Sequence, residues 1–259
     1  MAAELKSTSQ GRTMVLTISN PEYRNALGPE VYAAGIEALN AAETNAEIGS
    51  VVITGEGSVF CAGGNLQRLQ SNRQQPPEVQ AQSIEGLHSL IESIRTFPKP
   101  VIAAVEGPAA GAGFSLCLAC DFIVAAENAV FVMAYSNVGL SPDGGASWQL
   151  ARLLPRQMAN ELLLIGERIG SKRLHELGVV NLITPVGGAL TEALAMAGKL
   201  NARAANVMAS IKELVNDAGD NNLNRQLAAE RDHFVKNLHH PNAGIGISAF
   251  LAKISPKYE

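Results

Sequence analysis

Residues 101–121 read VIAAVEGPAAGAGFSLCLACD, and this stretch gives the clearest indication of the fold. An apolar run of strand length breaks at Glu106 and Gly107 and restarts as an apolar helix near Gly111. The segment FCAGGNL at residues 60–66 follows a buried-strand pattern in the same way. Both segments therefore predict a corner, in which a strand passes through small residues into the N-terminus of a helix.

These two corners are suited to binding an oxyanion. The first amides of a helix have no partner within the helix, and small residues let a ligand oxygen approach them closely. Two sets of such donors can hold the oxygen of a carbonyl that gains negative charge, such as a thioester that becomes an enolate. Phosphate-binding loops are excluded because Gly107, Gly111 and Gly113 lack the G-x-G-x-x-G spacing, and because no lysine follows them as in a P-loop.

The composition is that of an ordinary globular protein. Of the 259 residues, 47% are hydrophobic and 17% charged, which suits one large domain or one domain with a helical appendage. A net charge of −4 provides no basic surface for nucleic acid or for an anionic membrane. The N-terminal sequence MAAELKSTSQ lacks a signal pattern, and no apolar run reaches the roughly 18 residues of a membrane helix. We therefore expect a cytoplasmic protein with neither a nucleic-acid partner nor a membrane partner.

Hydrophobic periodicity predicts alternating strands and helices in the first half of the chain and mostly helices in the second. Strands are expected at residues 13–18, 51–54, 101–105, 122–125, 130–133 and 179–183. Helices are expected from about residue 65 and at residues 29–43, 79–96, 111–119, 146–153, 155–165, 171–177, 187–202, 206–217 and 221–238. The polar, proline-rich residues 71–80 predict a mobile loop. The pattern indicates an α/β core over residues 1–186 and a helical region over residues 187–259.

The cysteines and histidines indicate neither a disulfide framework nor a metal site. The chain has three cysteines, and Cys117 and Cys120 lie in an apolar helical run with no second pair, so we expect buried, inert thiols. His239 and His240 have no third ligand at metal spacing, and we expect no bound metal.

Four ordered motifs resemble the crotonase family, also called the enoyl-CoA hydratase/isomerase superfamily. They are FCAGGNL at 60–66, VIAAVEGPAAGAGFSLCLACD at 101–121, FVMAYSNVGLSPDGG at 131–145 and HELGVVNLI at 175–183. The resemblance extends from Val15 to Lys253. It implies a crotonase-like spiral of ββα units with a C-terminal helical trimerisation region, and assembly into a homotrimer or a dimer of trimers. It also implies an acyl-CoA substrate and no metal or redox cofactor.

The resemblance assigns residues to the substrate site. The oxyanion hole is the pair of backbone N–H groups of Gly64 and Ala112, which agrees with the two corners described above. Arg24 corresponds to a basic residue near the CoA nucleotide. The other residues with a counterpart at the CoA site are Ala26, Ala62, Asn65 and Leu66 in the CoA channel, and Phe250 and Lys253, which a neighbouring subunit contributes.

The chain departs from the family hydratases at the two positions that matter for water addition. Hydratases of the family carry two glutamates where this chain has Ser115 and Tyr135. It has instead one acidic residue, Asp143, where family isomerases place theirs, including those acting on enoyl-CoA and on ring-opened phenylacetyl-CoA metabolites. A lone carboxylate can remove a proton from one carbon and return it two carbons away. Without the resemblance, Asp143 in SPDGG also suits a turn or a helix cap.

Four further residues are candidates for the acyl pocket or for a different chemistry. Tyr135 either donates a hydrogen bond to the acyl end or fills the pocket wall, and Leu140 is expected nearby. A nucleophilic Ser115 is unfavourable because G-x-S-x-G would need glycine where Cys117 stands. His88 either faces the pocket, as a histidine does in family dehalogenases, or is structural. Three more cations are either solvated charges or phosphate contacts: Arg68, Arg73 and Lys99.

The sequence therefore predicts an enzyme that shifts a double bond in an enoyl-CoA, aliphatic or derived from an aromatic ring. Asp143 carries the proton and the amides of Gly64 and Ala112 hold the oxyanion. The alternatives are an enoyl-CoA hydratase or a ring-opening hydrolase on a CoA thioester. A second alternative is a non-catalytic, RNA- or partner-binding protein, although an acidic chain with 5% aromatic residues does not favour RNA binding.

Overall fold

The computed structural model describes residues 3–258, which form two β-sheets surrounded by helices. The nine strands are β1 (Glu4–Gln10), β2 (Thr13–Ser19), β3 (Ser50–Gly55), β4 (Val101–Val105), β5 (Pro108–Ala110), β6 (Phe122–Ala126), β7 (Val130–Val132), β8 (Ile169–Gly170) and β9 (Leu182–Thr184). The larger sheet has the order β1-β2-β3-β4-β6-β9, and the smaller has the order β5-β7-β8. In the larger sheet only the β1–β2 pair is antiparallel.

Eleven α-helices lie in the described part of the chain. They are α1 (Pro29–Thr44), α2 (Leu66–Asn72), α3 (Pro77–Thr96), α4 (Ala112–Ala119), α5 (Ala146–Leu153), α6 (Arg156–Asn160), α7 (Ser171–Glu176), α8 (Ala189–Asn201), α9 (Ala205–Ala218), α10 (Leu223–Leu238) and α11 (Pro241–Ala252). A π-helical turn, Glu161–Ile165, continues α6. None of the helices in residues 3–258 has the length and apolar character required to cross a membrane.

The central parallel strands are buried because helices cover both faces of the larger sheet. Side chains alternate between the two faces of a strand, so Val51 and Ile53 of β3 join the main core, whereas Val52 points to the opposite face. On that face Val52 and its neighbours pack with alanines of α8: Ala189, Ala193 and Ala197. This burial on both faces explains the continuous apolar runs of β3 and β4.

An ion pair attaches the C-terminal helices to the core. The Nζ atom of Lys212, on α9, lies 2.8 Å from the Oδ2 atom of Asp121 and also donates to the carbonyl of Ile94. The same Oδ2 atom accepts a hydrogen bond from the amide of Val101, at the start of β4. Beyond α9, the helices α10 and α11 expose large apolar side chains: Phe234, Leu238, Ile247, Phe250 and Leu251.

The α/β class and most predicted elements are confirmed. Four elements were not predicted, β1, β5, β8 and α11, and two predicted elements are corrected. Residues 71–80 are not one loop, because α2 reaches Asn72 and α3 begins at Pro77, whose missing amide is tolerated at the first helical position. The last strand begins at Leu182 rather than at 179, because the amides of Val179 and Val180 both donate to the carbonyl of Leu174 and close the end of α7. The division at residue 186 stays a prediction.

Candidate active site

The two predicted corners lie against each other. The amide of Ala110 donates to the carbonyl of Cys61 at 2.9 Å, so the backbone after β3 pairs with the backbone after β4. A Cβ atom added to Gly63, where φ is +88°, would lie 2.6 Å from the carbonyl oxygen of Ala110 and 3.3 Å from the amide nitrogen of Ala112. A Cβ atom on Gly113 would lie 2.6 Å from the carbonyl oxygen of Cys61. Both glycines are therefore required by this close approach of two backbones.

Two backbone N–H groups are free at this junction. Ala112 is the first residue of α4, and Gly64 lies two residues before the first residue of α2, Leu66. Within residues 3–258 neither amide donates a hydrogen bond, and the only atom within 4 Å of a Cβ added at Gly64 is a methyl of Leu69 at 3.8 Å. The two amides are thus available to a ligand oxygen, as an oxyanion hole requires.

The segment before α1 pairs with the first corner and brings together several residues predicted for the CoA site. The amide of Ala62 donates to the carbonyl of Arg24 at 3.0 Å, and the amide of Leu27 donates to the carbonyl of Gly63 at 2.8 Å. Arg24 is exposed, and Ala26 is buried beside it. On α2, Leu66 is 60% exposed. These residues and Ala62 therefore lie together along the first corner, and their contacts with CoA remain predictions.

Asn65 has a structural role in addition to any contact with a ligand. Its Oδ1 atom accepts hydrogen bonds from the amides of Gln67 and Arg68, at 2.9 and 3.1 Å. This is the N-cap of α2, a position that asparagine favours. Asn65 therefore fixes the start of the helix directly after the Gly64 amide.

Asp143 is held by the two residues that stand where hydratases have glutamates. The phenol of Tyr135 donates to its Oδ1 atom at 2.6 Å, and the hydroxyl of Ser115 donates to its backbone carbonyl at 3.1 Å. Ser115 lies one turn after Ala112 on α4, so the same helix carries an oxyanion-hole amide and a contact with Asp143. A Cβ atom on Gly144 would lie 2.9 Å from the Cβ atom of Ser115, which keeps this contact close.

The phenol of Tyr135 remains a proton donor. Burial raises the pKa of Tyr135 well above its usual range, and the adjacent Asp143 carboxylate adds to the effect. Asp143 itself is part-buried and does not cap a helix, because Gly145 occupies the N-cap of α5 and no side chain bonds there. The interpretation of Asp143 as a helix-capping residue is therefore wrong, and its carboxylate faces Tyr135 instead.

The side chains of the remaining predicted residues make no hydrogen bond with this cluster in residues 3–258, although the amide of Leu140 donates to the carbonyl of Tyr135 at 3.0 Å. His88 is exposed and lines a groove of about 500 Å³ between α3, α5 and α9, without a hydrogen bond to Asp143 or Tyr135 in the described residues. Leu140 is 49% exposed. Phe250 and Lys253 are exposed at the end of α11, and Phe250 is 83% exposed. Their roles in substrate binding remain predictions.

The thiols are free and shielded from water. Cys61 and Cys117 are buried, Cys120 is partly buried, and none forms a disulfide. Burial raises the pKa of Cys61 to about 12. The prediction of inert thiols at Cys117 and Cys120 agrees with this burial. In residues 3–258 no group of three or more histidine, cysteine or acidic side chains is arranged to hold a metal ion.

The sequence assigned no role to Tyr32 and left that of Arg68 open. Tyr32 on α1 is 5% exposed, and burial raises its pKa to about 12, with Arg68 opposing the shift and the Asp143 carboxylate adding to it. Arg68 was predicted to be either a solvated charge or a phosphate contact, and no local pattern distinguishes Tyr32 from any apolar residue of α1.

Comparison with known proteins identifies a matching family, related enzymes and a similar crystal structure. The sequence profile of a family described as enoyl-CoA hydratase/isomerase matches residues 8–259. The 1,2-epoxyphenylacetyl-CoA isomerase of Escherichia coli K12 is 35% identical over 95% of this chain and 94% of its own. The 2,3-dehydroadipyl-CoA hydratase of the same organism is 32% identical over 99% of each chain. The crystal structure of an enoyl-CoA hydratase from Polaromonas sp. JS666 superposes with a TM-score of 0.98 at 73% identity, covering 98% of this chain and 99% of that one.

Proposed function

The chain belongs to the enoyl-CoA hydratase/isomerase family and acts on CoA thioesters, and we propose that it shifts a double bond in an enoyl-CoA, aliphatic or ring-derived. Asp143 is the catalytic base and acid in this proposal. The observation that carries it is the single carboxylate of Asp143, which Tyr135 holds at 2.6 Å. With Ser115 and Tyr135 at the hydratase glutamate positions, the chain lacks the second carboxylate that water addition uses.

The proposed reaction moves one proton and the electrons of one double bond. The amides of Gly64 and Ala112 bind the thioester oxygen, and Asp143 removes a proton from C2 of a 3-enoyl-CoA. The electron pair passes to the thioester oxygen and forms a dienolate, which the two amides stabilise. Asp143 then returns the proton to C4, which leaves the double bond between C2 and C3. Such a reaction balances without a metal or a redox cofactor, and we propose that none is used.

The test is conversion of a 3-enoyl-CoA in deuterated water, followed by mass spectrometry. The unmodified enzyme is expected to give a 2-enoyl-CoA, separated from the substrate by chromatography, which gains deuterium over repeated turnovers as the proton held by Asp143 exchanges with solvent. Asp143→Asn removes the base and should lower the rate by about 10²–10⁴. The matched control is Asp232→Asn, which makes the same change at an exposed position of α10 and should leave the rate unchanged. An Asp143→Asn enzyme with full activity would contradict the assignment.

Hydration is the second candidate, because the relatives include enzymes named as enoyl-CoA hydratases. In that case Asp143 would activate a water molecule with the help of Tyr135. The same assay with a 2-enoyl-CoA as the substrate separates the two reactions, since a hydratase would add the mass of one solvent water molecule. Ring-opening hydrolysis, the other alternative, would add one water molecule to a ring-derived CoA thioester and leave the thioester intact.

We also propose that the protein forms a homo-oligomer through its C-terminal helices. The exposed apolar side chains of α10 and α11, among them Phe234 and Leu251, support this assembly. In it, Phe250 and Lys253 would reach the CoA site of a neighbouring copy. Light scattering after size exclusion should give a trimer or a hexamer, and a monomeric protein would contradict the proposal.

A further inference from the structure

The Gly64 amide is oriented by a hydrogen bond from outside its own corner. A peptide unit is planar, so the carbonyl of Gly63 and the N–H of Gly64 can only turn together. That carbonyl accepts a hydrogen bond from the amide of Leu27 at 2.8 Å, and Leu27 and Gly64 form an isolated parallel bridge. The position of Leu27 therefore sets the direction in which the Gly64 N–H points.

The Ala112 amide is oriented within its own helix. The carbonyl of its peptide unit, that of Gly111, accepts hydrogen bonds from the amides of Phe114 and Ser115, at 2.9 and 3.0 Å. Both donors belong to the first turn of α4, the helix that Ala112 begins. The two proposed oxyanion donors thus differ in their support, because only the Gly64 amide depends on the segment before α1.

Asn25 anchors that segment to the loop that leads into the first corner. Asn25 is 1% exposed, and its Nδ2 atom donates to the carbonyls of Glu56 and Val59, at 2.9 and 2.7 Å. Its Oδ1 atom accepts a hydrogen bond from the amide of Asn20 at 3.0 Å. A buried amide side chain needs such partners for its N–H groups and its oxygen. Asn25 therefore joins three backbone positions and holds the turn between them.

The backbone of this turn is unusual. Arg24 and Asn25 have φ values of +52° and +59°, in the left-handed region that most side chains avoid and that asparagine tolerates. The carbonyl of Arg24 accepts a hydrogen bond from the amide of Ala62 at 3.0 Å, so the segment meets the first corner at Ala62 and at Gly63. Such a conformation persists where the surrounding contacts hold it, and here the buried side chain of Asn25 supplies them.

We propose that Asn25 is a positioning residue for the oxyanion hole. Its side chain holds residues 24–27 in place, and Leu27 in this segment holds the peptide unit that carries the Gly64 N–H. Asn25 touches no substrate and acts on the thioester oxygen only through this backbone donor. The inference rests on the proposed function, which places the thioester oxygen at the amides of Gly64 and Ala112.

The test measures how strongly the enzyme polarises a bound thioester carbonyl. The probe is 4-(dimethylamino)cinnamoyl-CoA, whose absorption band moves to longer wavelength when the carbonyl oxygen accepts hydrogen bonds. It cannot undergo the proposed double-bond shift, because the carbon beyond its C3 belongs to the ring and has no hydrogen. The unmodified enzyme should shift the band to the red. In Asn25→Gly the backbone can keep its positive φ but loses its anchor, and the shift should fall by roughly half because one of two donors is misplaced.

The readout separates positioning from a loss of stability. The wavelength of the bound band is taken from difference spectra at saturating probe, where neither the affinity nor the fraction of folded enzyme affects it. A residue needed only for stability would leave this wavelength unchanged. Asn216→Ala is the matched control, because the amide of Asn216 also donates to a backbone carbonyl, that of Arg95 at 2.8 Å, between α9 and α3. This variant should keep the full red shift.

Asn20→Ala is a milder variant that decides the question if Asn25→Gly does not fold. It removes the bond from Nδ2 of Asn20 to the carbonyl of Ala26 at 3.0 Å, which attaches the same segment, and should reduce the red shift by a smaller amount. A full red shift in Asn20→Ala and in folded Asn25→Gly would overturn the inference and leave the proposed oxyanion hole intact. No red shift in the unmodified enzyme would instead contradict the oxyanion hole itself, and the inference with it.

Discussion

The two halves of the site are built from different parts of the chain. One half consists of backbone, the amides of Gly64 and Ala112, which two tightly packed corners hold in place. The other half consists of the side chains of Asp143, Tyr135 and Ser115, which bond to one another. Most substitutions leave a backbone N–H donor in place. In the second half, one substitution can remove a carboxylate or a hydroxyl group. In the proposed function, the backbone half therefore sets the class of substrate and the side-chain half sets the reaction.

The largest expected effect comes from deleting a donor of the backbone half. Ala112→Pro removes the amide hydrogen at the first position of α4, where proline fits a helix. The kcat should fall about 10²–10³-fold, the usual loss for one oxyanion donor, with little change in Tm. Ala205→Pro makes the same change at the first position of α9 and should keep full activity. Equal activity of both variants would show that the amide of Ala112 does not bind the oxyanion.

Overpacking the junction of the two corners should be the next largest effect. Gly113→Ala places a Cβ atom 2.6 Å from the carbonyl oxygen of Cys61, which belongs to rigid backbone. The free energy of unfolding should fall by about 1–3 kcal/mol, measured by urea denaturation. Gly198→Ala is the matched control, because its Cβ atom meets nothing within 4 Å and alanine favours a helix. A destabilised Gly198→Ala protein or an unchanged Gly113→Ala protein would contradict this account.

A smaller loss is expected from the side-chain half. Tyr135→Phe removes the hydrogen bond to the Oδ1 atom of Asp143 and leaves the carboxylate in place. The kcat should fall about tenfold, as expected for a bond to a charged acceptor, while KM stays nearly constant. Tyr23→Phe changes an exposed phenol and serves as the control. A variant with a larger KM and an unchanged kcat would place Tyr135 in substrate binding rather than in the positioning of Asp143.

The smallest effect is an alkaline loss of stability from the two buried phenols near Asp143. The pKa values of Tyr32 and Tyr135 are raised above the ordinary value of about 10, mainly by burial. Below a pH of about 10 the phenols stay protonated in both the folded and the unfolded chain, so their ionisation does not change the free energy of unfolding. Above it the unfolded chain releases the proton first, so stability falls, by at most about 1.4 kcal/mol per pH unit for each phenol. Urea midpoints should show a shallower fall in Tyr32→Phe, and an unchanged slope would contradict the prediction.

The backbone half was predictable because its causes are local. Apolar runs identify β3 and β4, and the glycines mark where backbones approach, so the corners at 60–66 and 106–113 follow from neighbouring residues. The resemblance then predicted the crotonase fold, which the TM-score of 0.98 with a family structure confirms. Elements without a clear periodic pattern were missed: β1 is mostly exposed, and α11 contains two glycines.

The side-chain half was predictable only in part. The resemblance identified Asp143, Tyr135 and Ser115, but the hydrogen bond from Tyr135 to Asp143 spans an irregular segment with a short 3-10 turn, which no periodicity describes. Tyr32 was missed for a stronger reason. The charges that act on its phenol, Arg68 and Asp143, are distant from it in sequence, and no local pattern relates them to α1.

The ion pair between Lys212 and Asp121 bears on how this protein can be truncated or recombined. Asp121 is largely enclosed, and burial raises its pKa, with Lys212 opposing the shift. A chain that ends before α9 would leave this carboxylate without its cation, next to the amide that starts β4. The strand that leads into the second corner would then begin at an uncompensated charge. A tail exchanged between family members must therefore bring a cation to this position.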